Sequence, residues 1–522
     1  MYGNEYRFQN RFRVIGSLEC KGPLHAGDGD VASFVERAKH LGMEIPDETV
    51  AADPEYATTS TGVGELPILP GTALKGVLLH WLERHGVERS AIERLFGKVE
   101  GGKAVFGGMA VFYDATLESS PPVEKGLRWW HPDRCTCLSP QVVIDPKTRT
   151  ATPGLLYYTE FVPAGSVFRL EVAGQDWSDE DRDLLLFALH NAFSEDPDSA
   201  QVGAGQASNW GRLVWRPRRV EVLGDAELKG WMAEPVRHYS FAFATAGDAL
   251  ELEKAALDRW QAGPAGQTVD LDVVLRFEGA FLVNDPSQAR KRDKERNKDG
   301  IAHATMRQVD GKYYLPSSSV RGALRAQARR IWQTCAWDQA GDLNRMEKEK
   351  DRTQSRRRGD QKRMAPVHRL FGASGWRSPL EIEDFDLVSK PNVNTQEFVA
   401  IDRFTGGVSE DRKFNAVRLY QPVFRGTLRV DVKRWTDAGV GGWGWLWLAF
   451  LLRDWMEGDI TFGFGASKGY GACKAEIQVQ GEGPEALLLA KLVRDFGTEF
   501  VYPELAEWER QWEEVLRQGV AA

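Results

Sequence analysis

LPILPGTALKG, from Leu66 to Gly76, recurs later in the chain as YYLPSSSVRG, from Tyr313 to Gly322. Both stretches place Leu-Pro before three small or hydroxyl residues, an aliphatic residue, a basic residue and glycine. Each stretch leads into a run with helical character, and each run is followed by Arg-Leu-Phe-Gly, at Arg94 to Gly97 and at Arg369 to Gly372. The two matches therefore extend beyond the stretch itself.

Two more pairs of blocks follow in the same order. VVIDPKT, from Val142 to Thr148, is matched by VAIDRFT, from Val399 to Thr405. GAGQASNWG, from Gly203 to Gly211, is matched by GFGASKGYG, from Gly463 to Gly471, with glycines at three equal offsets. Four matched blocks in one order predict a duplicated domain.

The composition is that of an ordinary globular protein. The 522 residues leave room for two or three domains, 42% of them are apolar and 27% are charged. Apolar runs fall short of the roughly 20 residues that cross a bilayer, and the first residues lack the apolar core of a signal peptide. Five scattered cysteines argue against a disulfide framework. We therefore expect a cytoplasmic protein with no membrane partner.

Each copy has the predicted order strand, loop, helix, strand, hairpin, helix, glycine-rich loop, strand. This is the order of a ferredoxin-like α+β domain with insertions. The sequence thus predicts an α+β protein of two tandem domains, at residues 1–220 and 269–480, with a junction at 221–268 and a helical tail at 481–522. The polar stretch from Ser33 to Gly64 shows no clear periodicity and is expected to be a loop.

The helix starts after the two Leu-Pro pairs are candidate phosphate sites. Free N–H groups at a helix N-terminus attract anions, and both copies place a basic residue in the first turn. Simple capping of the helix is the alternative. The residues concerned are Gly71, Thr72 and Lys75 in the first copy, and Ser317, Ser318, Ser319, Arg321 and Arg325 in the second.

The VxIDxxT blocks begin long predicted hairpins. Asp145 and Asp402 are each followed by Thr three residues on, a spacing typical of a turn held by bonds from side chain to backbone. Apolar residues on a protruding ribbon, Ile144 and Ile401 among them, suit wedging between bases. Packing of each hairpin on its own core is the alternative.

Two further features carry weaker signals. Basic runs at residues 290–298 and 356–363 are predicted to be either solvated loops or phosphate contacts. His131, Cys135 and Cys137 lie close together, but their spacing lacks the paired CxxC of a zinc site. Zinc is therefore not expected there.

As an ordered set, LPGTALKG and LPSSSVRG, RLFG, VxIDxxT and the glycine-rich blocks resemble the RAMP superfamily of CRISPR-associated proteins, in particular the Cas seven backbone subunits of type III effector complexes. Two fused copies are similar to the two-domain backbone subunit of type III-D complexes. The resemblance implies RRM-like domains that hold a guide RNA, and thumb hairpins, at Gln141 to Phe161 and Phe398 to Leu419, that flip guide nucleotides at intervals. The implied partners are guide RNA, single-stranded target RNA, other RAMP subunits and the large type III subunit.

The resemblance also implies cleavage of the target RNA, with Mg²⁺ or Mn²⁺, at an aspartate in the loop before the first helix. A carboxylate there could hold the ion or take the proton of the attacking 2′-hydroxyl. Asp53 stands at the matching distance in the first copy and ranks ahead of Asp28 and Asp30, which also suit a turn.

The second copy departs from this pattern. His303 stands nearest the matching position, with Asp299 and Asp310 on either side, and Asp299 is the catalytic candidate there. Leu282 also replaces the His25 of the first copy. Cleavage by the second domain is therefore in doubt.

Two other functions remain open. An endoribonuclease that processes the guide precursor alone would need an acid–base pair centred on a histidine, for which His25 and His303 are the candidates. A purely architectural RNA-binding subunit would have both sites inactive.

Overall fold

The computed structural model describes residues 8–43, 52–100, 103–145, 148, 150–196, 198–233, 243–263, 267–289, 300–336, 364–373, 376–498 and 502–518. The basic runs at 290–298 and 356–363, and Asp299, lie outside these residues. Within the described residues, no helix is long and apolar enough to cross a membrane.

The first domain is built of strands and helices that alternate along the chain. Its strands are β1 (Asn10–Cys20), β2 (Gly27–Ser33), β3 (Glu55–Thr59), β4 (Ile68–Leu69), β5 (Gly97–Glu100), β6 (Lys103–Gly107), β7 (Ala110–Phe112), β8 (Ala115–Ser119), β9 (Cys137–Ile144), β10 (Ala151–Phe161), β11 (Val167–Gln175), β12 (Leu213–Gly224) and β13 (Ala244–Gly247). Its helices are α1 (Phe34–His40), α2 (Gly71–Arg84), α3 (Arg89–Phe96), α4 (Asp179–Ala192), α5 (Asp225–Ala233) and α6 (Ala249–Arg259).

The second domain repeats this order. Its strands are β14 (Thr268–Phe277), β15 (Ala280–Phe281), β16 (His303–Ala304), β17 (Tyr314–Leu315), β18 (Leu380–Ile382), β19 (Phe385–Leu387), β20 (Val393–Ile401), β21 (Val408–Tyr420), β22 (Val423–Asp431) and β23 (Cys473–Gly481). Its helices are α7 (Ser317–Cys335), α8 (Pro366–Phe371), α9 (Val432–Asp437), α10 (Gly441–Glu457), α11 (Pro484–Asp495) and α12 (Leu505–Gln518).

The main sheets of the two domains have the same antiparallel topology. In the first domain the order is β13-β12-β1-β11-β8-β4, and β7 also pairs with β11. In the second the order is β23-β14-β22-β19-β17, and β18 pairs with β22. Strand β14 alternates buried and half-exposed residues, as expected where one face of a sheet is covered. The predicted α+β fold of two ferredoxin-like domains is confirmed.

Helices α2 and α7 occupy the same place in the two domains. Buried residues of α7 recur every three or four positions, at Val320, Leu324, Ala328 and Trp332, so one face of the helix meets the core. The core beneath α7 is rich in tryptophan, and Trp332 packs within 5.3 Å of Trp512 between ring centroids. Helices α11 and α12 of the predicted tail thus contribute to the core of the second domain, and the bounds of the tail stay a prediction.

A smaller sheet in each domain carries a hairpin. In the first, β3 runs parallel to β10, and β9 pairs antiparallel with β10. In the second, β16 and β20 pair in the same two senses with β21. The stretch from Ser33 to Gly64, expected to be a loop, contributes α1 and β3. Its short elements gave no long periodic pattern, which is why the prediction was wrong.

The predicted junction at residues 221–268 carries structure of its own. Strand β12 runs on to Gly224, β13 pairs with its end, and α6 packs on the first domain. Asp248 caps α6 by accepting hydrogen bonds from the N–H groups of Leu250 and Glu251. The boundary at residue 220 stays a prediction.

Candidate nucleic-acid interface

Two hairpins expose apolar residues to solvent. The first hairpin comprises β9 and β10 and presents exposed side chains at Val142, Val143, Ile144, Leu155, Leu156 and Tyr157. The second hairpin comprises β20 and β21, and its turn carries Phe404, which is 99% exposed. Such side chains are covered neither by the sheets nor by the described helices. The alternative of hairpins packed wholly on their own cores is therefore wrong for their outer halves.

The turns of both hairpins are held by an aspartate. Asp145 accepts a hydrogen bond from the N–H of Thr148 at 2.9 Å. Asp402 accepts from the N–H groups of Phe404 and Thr405 at 2.9 and 2.8 Å. These bonds lower the pKa of Asp402, with the N–H of Thr405 contributing most. The predicted role of the VxIDxxT blocks as anchored turns is confirmed.

The root of the first hairpin is fixed by a buried ion pair. Glu160 on β10 is fully buried and accepts from the guanidinium of Arg37 at 2.8 Å and from the hydroxyl of Thr136 at 2.7 Å. Its other carboxylate oxygen accepts from the N–H of Thr59 at 3.0 Å. Because a buried ion pair needs such added bonds to offset desolvation, this network ties α1, β3 and β10 in one arrangement.

Asp53 lies beside this root. Asp53 stands two residues before β3, whose residue Tyr56 lies opposite Tyr158 of β10 in their parallel pairing. The side chain is exposed, and Oδ1 accepts from the hydroxyl of Ser33 at 2.7 Å and weakly from the N–H of Val35 at 3.4 Å. The carboxylate is thus oriented at the start of α1 while it faces solvent.

Asp28 and Asp30 form a separate group. Oδ1 of Asp28 accepts from the hydroxyl of Thr58 at 2.6 Å and from the N–H of Asp30 at 3.0 Å. Burial raises the pKa of Asp28, but these bonds together outweigh burial and lower it. Asp28 thus bonds to Thr58 on β3, whereas Asp53 bonds to Ser33 and Val35 at the start of α1. The two carboxylates have different partners, and their catalytic roles stay predictions.

His25 is buried and lies close enough to the exposed Asp28 to act on its carboxyl. Its Nδ1 lies 2.7 Å from the carbonyl oxygen of Glu160, so Nδ1 carries the proton and donates it, and Nε2 is the acceptor in the neutral ring. The residue is buried, and Gly27 lies against Nε2. The second domain has Leu282 and the buried Asp285 at the equivalent positions.

His303 of the second domain lies on β16, which pairs with β21 in the same parallel sense as β3 with β10. Its ring lies 4.6 Å from that of Phe464 and 5.6 Å from that of Phe414, between centroids. Burial lowers the pKa of His303, and the positive charge of Lys468 lowers it further. Asp310 lies beyond this strand in a turn, where it accepts from the N–H of Lys312 and pairs with its ammonium group.

Both predicted phosphate sites at helix starts already hold a carboxylate. The N–H of Gly71 donates to Asp114 at 2.8 Å, and the N–H of Ser317 donates to Asp384 at 2.7 Å. Asp114 and Asp384 lie at equal offsets in VFYDATL and EIEDFDL, so the repeated aspartate is the sequence signal that marks both caps. Because a carboxylate complements the positive end of a helix, each helix is capped from within its own domain.

The basic residues of the two first turns differ in their surroundings. Lys75 is half-buried and makes no hydrogen bond or ion pair within the described part of the chain. Arg321 donates to the carbonyl oxygens of Ala207, Phe371 and Leu380. Burial lowers the pKa of Arg321 to about 10. Its contacts are with protein, and the prediction that it contacts RNA stays a prediction.

The other residues predicted at these helix starts lie on the same turns. Thr72 and Ser318 are exposed, Ser319 and Arg325 are half-buried, and Ser317 is buried with its hydroxyl bonded to the carbonyl oxygen of Ser208.

The group around His131 does not include the cysteines. Within the described residues, the atoms that approach one another within 4.8 Å belong to His40, His131 and Asp133. Nδ1 of His131 accepts from the N–H of Arg134 at 3.3 Å, which leaves the proton of the neutral ring on Nε2. Burial raises the pKa of Cys137 to about 12 and disfavours the thiolate that a metal needs. The predicted cluster of His131 with Cys135 and Cys137 is therefore not formed among these atoms, and the expectation that zinc does not bind stays a prediction.

Comparison with known proteins agrees with this geometry. The model of the RAMP superfamily matches residues 17–213 and 294–474, which is more than half of the chain and covers both domains. None of the curated proteins matches the chain. The chain therefore belongs to the RAMP superfamily, whose members are CRISPR-associated proteins that bind RNA within ribonucleoprotein complexes.

Proposed function

We propose that the chain is a guide-RNA-binding backbone subunit of a type III CRISPR effector complex, and that its first domain cuts target RNA. One observation carries the proposal. Each domain extends an exposed apolar hairpin, and the first hairpin has an oriented, exposed carboxylate, Asp53, at its root. Guide RNA, target RNA, other RAMP subunits and the large type III subunit are the proposed partners.

The hairpins supply the contacts with bases. An apolar side chain that enters a base step costs some stacking but gains contact area, and such contacts do not depend on sequence. This suits a subunit that must accept any guide. Ile144 at 53% and Ile401 at 61% exposure lie on the outer halves of the two hairpins and are proposed to contact RNA there.

Asp53 is proposed to act in cleavage. The 2′-oxygen of a target nucleotide attacks the adjacent phosphorus, the 2′-proton is lost, and the bond to the 5′-oxygen breaks. Asp53 takes that proton or holds a divalent ion beside the phosphate. Because Mg²⁺ is usually held by one or two carboxylates with substrate phosphates and water, one exposed carboxylate and the RNA fit Mg²⁺ or Mn²⁺. The ion would supply charge stabilisation to the phosphate.

The test replaces Asp53 by Asn in the assembled complex. Asn keeps the oxygen that accepts from Ser33 and Val35, so α1 keeps its start while the negative charge is lost. We expect one cut in the target to disappear while target binding is unchanged. Glu55→Gln, an exposed carboxylate two residues further along, is the matched control and should leave every cut in place.

Two outcomes would contradict the catalytic role. A full set of cuts with Asp53→Asn would remove Asp53 from the reaction, and the purely architectural subunit would then fit best. Cleavage of a target with a 2′-deoxy nucleotide at the cut position would exclude attack by the 2′-oxygen.

Processing of the guide precursor by the chain alone is the second candidate, because His25 is close enough to Asp28 to help lower the pKa of its carboxyl. Purified protein incubated with repeat RNA in a chelator would cut it if this pair were an acid–base centre. Loss of that cut in His25→Ala would assign it. An uncut repeat RNA leaves the first proposal unaffected.

A further inference from the structure

The first domain contains a connecting segment that is much shorter in the second. Residues 120–136, which we call the strap, separate β8 from β9, whereas residues 388–392 separate β19 from β20. The strap contacts both the base of the first hairpin and the second domain. Two consecutive residues of the strap, Arg128 and Trp129, are buried and have different partners. The strap is therefore a candidate for coupling between the two domains.

Arg128 is buried against the second domain. Its backbone N–H donates to the hydroxyl of Ser287 at 2.9 Å. Burial lowers the pKa of Arg128, but the groups around its guanidinium outweigh burial and raise it. Tyr314, Asp285 and Asp384 are among these groups, and all three belong to the second domain. Because a buried cation needs nearby anions to offset its desolvation, the burial of Arg128 depends on the docked second domain.

The same guanidinium contacts the base of the first hairpin. Its Nη2 donates to the hydroxyl of Ser139 on β9 at 3.4 Å, and the group lies 5.6 Å from the ring centroid of Phe161 on β10. Nη1 of Arg128 and Oδ2 of the buried Asp285 make no hydrogen bond within the described part of the chain. Loss of either charge would therefore leave the other poorly compensated.

Trp129 extends the contact from Arg128 to helix α1. Its ring packs edge-on against Phe34 at 5.3 Å and against Tyr158 at 5.4 Å, between centroids. Its carbonyl oxygen accepts from the guanidinium of Arg37 at 3.1 Å. Phe34 and Arg37 are both buried residues of α1, so Trp129 contacts the buried face of that helix.

Helix α1 in turn orients Asp53. Oδ1 of Asp53 accepts from the hydroxyl of Ser33, which is the N-cap of α1, and from the N–H of Val35 in the first turn. The helix has 7 residues, too few to be stable without tertiary packing, so its position depends on the contacts with Trp129. A chain of contacts therefore runs from the second domain through Arg128 and Trp129 to Asp53.

The backbone that joins the two buried side chains is strained. The φ angles of Arg128 and Trp129 are 52° and 50°, in the left-handed region that bulky residues rarely adopt. Such a conformation persists only where the surrounding contacts fix it. If the contacts of Arg128 are lost, the shared backbone should relax and move Trp129 with it.

We propose that Arg128 is a positioning residue through which the second domain holds α1, and with it the carboxylate of Asp53, in the arrangement used for cleavage. The catalytic consequence rests on the proposed function of Asp53, whereas the coupling of α1 to the second domain does not. The first domain thus depends on the docked second domain for the position of its own carboxylate.

The coupling is tested without RNA, by hydrogen exchange of the full chain. Asp285→Asn removes the negative charge beside Arg128 and keeps an oxygen that accepts from Ser287. We expect the amides of α1 to exchange roughly tenfold faster or more, although the substitution lies in the other domain. Glu124→Gln breaks the exposed ion pair between the strap and Arg307, and as the matched control it should leave α1 unchanged.

The amides of α4, in the core of the first domain, are the internal reference and should exchange at the same rate in every variant. Unchanged exchange of α1 in Asp285→Asn would overturn the proposal. Equal acceleration in α1 and α4 would overturn it too, because the substitution would then act on the whole fold.

A double variant tests whether the two charges act as a pair. Arg128→Met combined with Asp285→Asn removes both charges, and losing both partners of a buried pair costs less than losing one. We therefore expect the amides of α1 to exchange more slowly in the double variant than in either single variant. Effects that simply add would overturn the assignment of Asp285 as the partner of Arg128.

Cleavage by the assembled complex tests the catalytic consequence. Asp285→Asn should slow the cut assigned to Asp53 roughly tenfold or more while the affinity for target RNA is unchanged, and the double variant should recover part of the rate. If α1 loosens but that cut keeps its rate, the positioning role is overturned. If Asp53→Asn leaves every cut in place, the proposed function fails, and the exchange of α1 still decides the coupling between the domains.

Discussion

The side chain of Asp181 is expected to make the stability of the fold depend on pH. It lies at the start of α4, where it accepts from Ser178 in a capping box and from Arg94 at 2.6 Å. Burial raises the pKa of Asp181, but the bonds from Ser178 and Arg94 outweigh burial and lower it. A depressed pKa means that the stabilisation is present above the unfolded pKa of about 3.9 and is lost as the pH falls through the folded value.

We therefore predict that Asp181→Asn lowers the free energy of unfolding by about 1–2 kcal/mol at pH 7. The difference from the unaltered protein should shrink as the pH falls below about 4. Urea unfolding at several pH values measures it, with the exposed Asp179→Asn in the same turn as control. A difference that does not change with pH would contradict the assignment.

Asp114 allows a second prediction at the level of one residue. Asp114→Ala removes the carboxylate that accepts from the N–H of Gly71 and should lower the free energy of unfolding by about 1 kcal/mol. Asp114→Asn keeps an acceptor oxygen and should cost less. Thermal unfolding distinguishes the two, and equal losses would show that the hydrogen bond to Gly71 contributes nothing.

Single residues were predicted well where chemistry is local. Asp145 and Asp402 could be placed in anchored turns because the bond reaches only to the next few backbone N–H groups. Asp114 and Asp384 were visible as a repeated aspartate but act on helices distant in sequence. Arg321 was expected at a phosphate, but its carbonyl partners Ala207, Phe371 and Leu380 are all distant in sequence, so no local pattern indicates them.

At the scale of elements, a substitution at the turn of the second hairpin should change RNA binding without changing the stability of the fold. Phe404 is 99% exposed, so Phe404→Ser should change the free energy of unfolding by less than about 0.5 kcal/mol. If the ring stacks on a base, RNA binding should weaken by about 1–3 kcal/mol, roughly 5- to 150-fold in Kd. Filter binding with guide RNA measures this, with Leu487→Ser, at an exposed apolar position on α11, as control. Unchanged affinity would remove Phe404 from the interface.

For helix α12 we predict the opposite, a substitution that lowers the stability of the fold. Trp512 is buried and packs against Trp332, Trp447 and Phe450. Trp512→Ala should lower the free energy of unfolding by about 3 kcal/mol or more, because it leaves a cavity among aromatic rings. Glu513→Ala, on the exposed side of the same helix, should have little effect. Similar losses in both variants would show that α12 does not belong to the core.

Elements that occur in both copies were easier to predict than elements that occur in one. The hairpins, the capped helices and the glycine loops each have a counterpart, so a weak pattern is supported twice. The helix α1 and the strand β13 are short and lie in stretches with no matching block, and tertiary pairing determines them. Their patterns were too short to distinguish from loops.

At the scale of the whole molecule, the duplication was readable in the sequence but the placement of the two domains was not. The contact between the glycine-rich block Gly203–Gly211 and α7 depends on groups more than 100 residues apart, such as Arg321 and Ala207. No local pattern encodes such a pairing. Under the proposed function, the two hairpins are separate contacts for one RNA strand.

The most direct test of the account is chemical probing of the ribose flexibility of guide RNA bound to the chain. Two nucleotides at a fixed spacing should be hyperreactive, one at each hairpin, because an inserted apolar side chain unstacks the base beside it. Phe404→Ser should abolish one of these signals, and Ile144→Ser should weaken the other. Uniform protection of the RNA, or a reactivity pattern that neither variant changes, would contradict the claim that the two hairpins contact one RNA strand.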